Sequence, residues 1–106
     1  MTPIEILDTY RTFAVVGLSN RPESPSRSVA SHLKERGYRI VPVNPSLDEV
    51  LGEKCYPDLT SIPFSIEVVD IFRRSEAVGP IVDDAIRIGA KVVYSNVTLA
   101  IMPPPV

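Results

Sequence analysis

Thr12-Phe13-Ala14-Val15-Val16-Gly17-Leu18-Ser19 is the stretch that decides the fold of this chain. Residues 12–16 are β-branched, aromatic or apolar without polar alternation, which predicts a strand buried on both faces. Gly17 then makes the turn, since a residue without a Cβ permits positive φ or the close approach of a neighbouring group. A polar loop runs from Leu18 to Pro25, and residues 26–36 read as a helix with Ser26 as N-cap and Gly37 at its end. Val29, Ala30 and Leu33 fall on one face of that helix. Strand, glycine turn and helix in this order predict a βα unit, with a phosphate-binding loop starting at Gly17.

Working outward, the alternation continues. Residues 3–10 form a short amphipathic lead. Residues 39–43 are a second strand, ended by Asn44-Pro45, and are followed by a weak helical turn near 47–51, Gly52 and an extended piece at 54–56. Residues 66–72 form a third strand. A helix at 78–88 has Pro80 in its first turn, Gly89 at its end, and Ile81, Val82, Ala85 and Ile88 as its apolar face. Residues 91–94 form the last strand. The class is α/β, with a parallel sheet covered on both faces. After Ser95 the alternation stops, because Pro103, Pro104 and Pro105 continue neither a helix nor a central strand. The organisation expected is one domain over residues 1–95 and an atypical Pro-rich tail over 96–106.

The length of 106 residues suits one core, burying roughly 60–70% of the unfolded surface. An apolar fraction of 44% with mean hydropathy of +0.12 marks a globular chain. Net charge is −2 and the pI near 5.3, so no overall basic field attracts nucleic acid or an anionic membrane. No apolar run approaches the ~18 residues of a membrane span, and no signal-type segment opens the chain. A cytoplasmic location is expected. Cys55, the single cysteine, makes neither an internal disulfide nor, alone, a metal site.

In an open α/β sheet, ligands bind beyond the carboxyl ends of the strands, where strand order reverses. The unusual residues of this chain fall at those ends: Gly17-Leu18-Ser19 after the first strand, Val43-Asn44-Pro45 after the second, and Phe72-Arg73-Arg74-Ser75 after the third. The start of the helix at Ser26 favours an anion through its free N–H groups and dipole. Arg21, Arg27, Arg73 and Arg74 could supply forked donors to phosphate oxygens. Singly, each has an ordinary explanation: a lone glycine turn, a helix cap, a solvated arginine pair. His32 reads as a solvent-facing helix residue, Cys55 as a small semi-buried side chain, and Asp83 and Asp84 as a polar helix face. Together, four arginines near strand ends in a chain of net negative charge point to a polyanionic ligand. Two absences narrow it. The loop is not Gly-x-Gly-x-x-Gly, and the second strand ends in Asn44-Pro45 rather than in the carboxylate that grips a dinucleotide ribose. The carboxylate cluster of a phosphorylated receiver is also missing, since Gly17, Leu18 and Ser19 stand in its place.

Several strings now combine: residues 14–22 (AVVGLSNRP), Ser26-Arg27, 37–45 (GYRIVPVNP), 51–54 (LGEK) and 69–75 (VDIFRRS). The combination resembles the stand-alone CoA-binding protein family, single domains similar to the N-terminal CoA-binding domain of the succinyl-CoA synthetase alpha subunit. The resemblance covers residues 6–93. It implies a Rossmann-like three-layer doubly wound parallel sheet that binds coenzyme A. It also implies that Gly17, Leu18 and Ser19 line the pyrophosphate and pantetheine region and that Ser26 and Arg27 meet phosphate. Val43, Asn44 and Pro45 would flank the adenosine, with Lys54 and Tyr56 nearby, and Phe72, Arg73 and Arg74 would close the other side.

Where members of that family continue with a Gly-containing turn, a helix rich in Glu and Ala, and a final strand, residues 95–106 do not match. A shortened sheet is therefore expected, one strand and one helix short, with an exposed edge beside residues 91–94 that invites homo-oligomeric pairing. The function expected is non-catalytic binding of CoA or acyl-CoA, with no metal and no catalytic constellation. A component of an acyl-CoA ligase and an NADP-type nucleotide sensor are the alternatives. The ligase reaction relays phosphate through a histidine in a further domain, and His32, mid-helix, does not stand in for it.

Overall fold

The computed structural model describes residues 3–95 and 99–101. Helix α1 (Pro3–Thr9) leads into β1 (Thr12–Val16), α2 (Pro25–Glu35) and β2 (Arg39–Val43). Short strands β3 (Glu49–Val50) and β4 (Glu53–Lys54) and a 3-10 turn at Leu59–Ser61 precede β5 (Val68–Ile71), α3 (Ser75–Arg87), β6 (Val92–Ser95) and β7 (Leu99–Ile101). The main sheet has the order β2-β1-β5-β6-β7, and its first four strands are parallel. The α/β, Rossmann-like expectation is met. Strand order reverses between β1 and β5, as β1 crosses to β2 on one side and the chain then returns to β5 on the other.

The continuous apolar strands work as expected from two-sided burial. Phe13 and Val15 face α1 and α2 together with Ile40, Val68 and Val92, whereas Ala14 and Val16 face α3 with Val41, Val69 and Val93. The faces alternate because side chains along a strand do. Ile6 anchors α1 on the first face and Ala30 anchors α2; Val78 and Ala85 anchor α3 on the second.

Four local readings change. Helix α2 begins at Pro25 with Ser24 as N-cap, so Ser26 is inside the first turn rather than the cap. Helix α3 begins at Ser75, so Pro80 lies within it instead of opening it. The helical turn expected near 47–51 is an antiparallel hairpin, Glu49 pairing with Lys54 and Val50 with Glu53, in which Val50 is buried and Leu51 takes a φ of 53°. A two-residue turn with a buried strand residue here overrides a weak helical pattern. Finally, the edge of β6 is not open: β7 pairs with it antiparallel, Val93 opposite Ala100. The exposed edge expected at residues 91–94 is corrected accordingly. Pro103 to Pro105 of the expected tail lie outside the described residues.

Candidate functional site

At the switch point the ladder of β1 splits. The Gly17 N–H donates to the Val43 carbonyl at 2.8 Å, while the Phe72 N–H donates to the Val16 carbonyl at 2.8 Å. The chain between must turn away from both neighbours, and Gly17 does so with a φ of +82°. A Cβ at Gly17 would run into the Phe72 carbonyl oxygen and come within 2.9 Å of Arg73 Cδ. Both reasons for glycine, positive φ and close approach, therefore hold at one position.

The loop after Gly17 is tied down from α2. Ser26, 3% exposed, accepts the Ser19 N–H at 3.1 Å and shares a 2.7 Å hydrogen bond with the Ser24 hydroxyl. The Ser19 hydroxyl accepts the Arg21 N–H at 3.1 Å. The Ser24 hydroxyl bonds to that of Ser26 and makes no cap bond to the first turn of α2, so the positive end of the helix faces the loop without an N-cap side-chain bond. On the β2 side, Asn44 is fixed through its side chain and its N–H. Its Nδ2 donates to the Leu18 carbonyl at 3.2 Å, its Oδ1 accepts the Ser46 N–H at 2.8 Å, and its own N–H donates to the Tyr56 carbonyl at 2.9 Å.

These supports frame a cleft of about 430 Å³ lined by Gly17, Asn44, Phe72, Arg73, Arg74 and, from the first turn of α3, Glu76 and Ala77. Arg73 and Arg74 are exposed, and among the described residues Arg21, Arg27, Arg73 and Arg74 form no salt bridge. The Arg27 Nε is buried without a hydrogen-bond partner. A second hollow of about 150 Å³ opens on the α3 side of the same strand ends. Val16, Val43, Pro45, Pro57, Leu59 and Ile81 give it apolar walls, and Arg73 borders it as well as the cleft. Asp58 at its rim is held below the usual carboxylate range by hydrogen bonds from the Ser61 and Thr60 hydroxyls.

The structure thus brings together Gly17, Asn44, Phe72, Arg73 and Arg74 around the cleft, and Val43 and Pro45 around the hollow. Leu18 is fully buried against Ala30 and Val15, so only its backbone is near the loop surface. Ser19, Arg21, Ser26 and Arg27 belong to the loop and helix start beside the cleft rather than to its walls. Lys54 lies over the Tyr56 ring at 5.2 Å, and Tyr56 pairs with Val43 at the end of β2. Val16 reads as a strand residue and Ile81 as part of a helix's apolar face, Pro57 and Leu59 carry no signal of their own, and nothing in their spacing separates a hollow from a filled core. Glu76 carries the ordinary signature of a helix first turn. His32 is exposed on α2, and Cys55 is buried, with its thiol pushed up by burial. Among the described residues no cluster of three His, Cys, Asp or Glu side chains is placed to hold a metal ion, and no helix is long and apolar enough to cross a membrane.

A family model described as a CoA binding domain matches residues 11–98. The uncharacterized protein YneT of Bacillus subtilis is 40% identical over 92 residues, covering 87% of this chain and 68% of that protein. A hypothetical protein from Pyrococcus horikoshii OT3 has a solved structure that superposes with a TM-score of 0.83 at 45% identity, over 87% of this chain and 69% of that one. The ADP-forming acetate–CoA ligase II of Archaeoglobus fulgidus is 30% identical over 83 residues; these are 76% of this chain but 12% of the ligase.

Proposed function

The chain belongs to the CoA-binding domain family, and from that membership we propose that it binds coenzyme A or an acyl-CoA without catalysing a reaction, holding the phosphates at the cleft between Gly17 and Arg73-Arg74. The observation that carries this reading is the pair of exposed arginines, without a salt bridge among the described residues, standing against a glycine turn at the point of strand reversal. Guanidinium groups match phosphate oxygens with paired donors, and these form no salt bridge among the described residues that a phosphate would have to displace.

The roles follow from placement. Arg73 and Arg74 bond the pyrophosphate, with the Gly17 and Ser19 backbone approaching it from the opposite lip. The uncapped α2 start at Ser26 and Arg27, with Arg21 from the loop, adds positive potential, and the unpartnered Arg27 Nε is a donor awaiting an acceptor. Adenosine lies against Val43, Asn44 and Pro45, its base in the apolar hollow, with Lys54 and Tyr56 at the outer end. Phe72 and the Leu18 backbone border the path of the pantetheine. Glu76 opposes this arrangement as the one acidic residue lining the cleft. The reading keeps the cytoplasmic location expected from the sequence and involves neither nucleic acid nor membrane.

Calorimetric titration with CoA, dephospho-CoA and NADPH tests it. CoA is expected to bind more tightly than dephospho-CoA, and more weakly as salt rises. Preference for NADPH over CoA would instead make the chain an NADP-type sensor. A second reading, a component of an acyl-CoA ligase, is favoured by the similarity to an acetate–CoA ligase over part of its length. Incubation of the chain alone with CoA, acetate and ATP is expected to yield no thioester; thioester formation would overturn the non-catalytic reading.

A further inference from the structure

On the other face of the sheet, a groove of about 310 Å³ lies between α1 and α2. Its walls are apolar: Ile6 and Leu7 from α1, Phe13 from β1, and Val29 and Leu33 from α2. Its floor is formed by the ends of β5 and β6, where Asp70 pairs in register with Tyr94 and Phe72 and Ser95 stand just beyond. Such a lining, apolar with a few convergent polar groups, and such a volume suit a small-molecule subsite. One observation connects it with the phosphate cleft, and a second bears on what it holds. Phe72 is a wall of both, so an extended ligand anchored on Arg73 and Arg74 reaches the groove by passing that one side chain. And Asp70, a carboxyl in an apolar setting, has no hydrogen bond or salt bridge among the described residues, leaving its oxygens directed to whatever occupies the groove.

We propose that this groove receives the acyl group of a CoA thioester and selects uncharged apolar chains, because Asp70 repels an acyl group that ends in a carboxylate. The inference rests on the CoA reading above. An aliphatic chain gains by leaving water for the Ile6, Leu7, Phe13, Val29 and Leu33 walls. A terminal carboxylate would instead be desolvated beside a second carboxylate, the arrangement by which a site rejects a competitor. Selection is tied to the charge on Asp70. Burial alone raises its pKa to about 6, and among the described residues the only other titratable group lining the groove is Tyr94, whose phenol is pushed up by burial and then by Asp70 itself. Walls from α1, α2 and β1 contribute no charge.

The test is titration of the chain with CoA, butanoyl-CoA and succinyl-CoA at pH 8 and pH 5.5, in the native sequence and in Asp70→Asn and Val29→Trp. At pH 8, butanoyl-CoA is expected to bind about tenfold tighter than CoA, and succinyl-CoA about tenfold weaker than butanoyl-CoA. That second gap closes in Asp70→Asn and narrows at pH 5.5, while the affinity for CoA itself does not change in the variant. Val29→Trp, which fills the groove from its rim, removes the butanoyl gain and leaves CoA as it was. If CoA binds but the three ligands are equivalent, or the gap persists in Asp70→Asn, the groove is not an acyl site and the phosphate reading stands. If none of the three binds, both readings fall.

Discussion

Gly17 shows how much one residue constrains. The left-handed φ and the contact with the Phe72 carbonyl are independent penalties for any other side chain. Gly17→Ala is expected to lower unfolding free energy by at least about 2 kcal/mol, read from a urea melt; an unchanged midpoint would mean that β1 and β5 do not meet as described. Asp70 makes the opposite case. Its pKa in the fold is about 6 against an ordinary 3.8, so the native state holds a proton more firmly than the unfolded chain. The associated stability is full below pH 4 and is lost as pH rises through 6. Asp70→Asn should therefore stabilise the protein at pH 8, by about 1–3 kcal/mol, with little effect at pH 4; equal effects at both pH values would contradict the burial. Gly17 was legible in sequence because a turn after a buried strand has few solutions. Asp70 was not singled out, although a lone acid in a β-branched run was the signal available: a charged residue where both faces are expected to be buried.

At the scale of elements, periodicity located the four parallel strands and the two helices between them, and local hydrogen bonding set where they begin. In the sequence Ser26 reads as a cap, because it is a serine at the start of the helix that follows the polar loop. The structure uses its hydroxyl to hold the Ser19 N–H while Ser24 takes the cap position. Which of two serines caps a helix depends on how the loop returns across it, and spacing does not encode that. The consequence is testable: Ser26→Ala removes the acceptor of the half-buried Ser19 N–H and is expected to cost about 1–2 kcal/mol of stability. It should also weaken CoA binding by loosening the loop, whereas Ser28→Ala, at an exposed position on the same helix, should do neither. Equal effects of the two substitutions would contradict the tether. Strand β7 was missed for a similar reason. An antiparallel return needs a partner edge, here β6, and no pattern in so short a segment announces one.

At the scale of the molecule, the site follows from topology. Reversal of strand order leaves a crevice between the ends of β1 and β5, and it is there that Gly17 meets Arg73. Net charge is −2, so attraction of a polyanion depends on the local arginines and not on the overall field. Glu76, inside the cleft, works against them: Glu76→Gln is expected to tighten CoA by about 0.2–1 kcal/mol, the range of an exposed charge pair, and weaker binding would show that it contacts the ligand favourably. The sequence made the crevice and its arginines legible because they sit at strand ends, while the apolar hollow and the Asp70 groove arise only when helices pack across strands. The central claim, that Arg73 and Arg74 hold the phosphates, is tested most directly by titrating CoA into the native chain and into Arg73→Ala and Arg74→Ala at two salt concentrations. The prediction is a loss of about 1.5–3 kcal/mol in each variant, with a shallower salt dependence than the native chain. Affinity and salt dependence unchanged in both would contradict it.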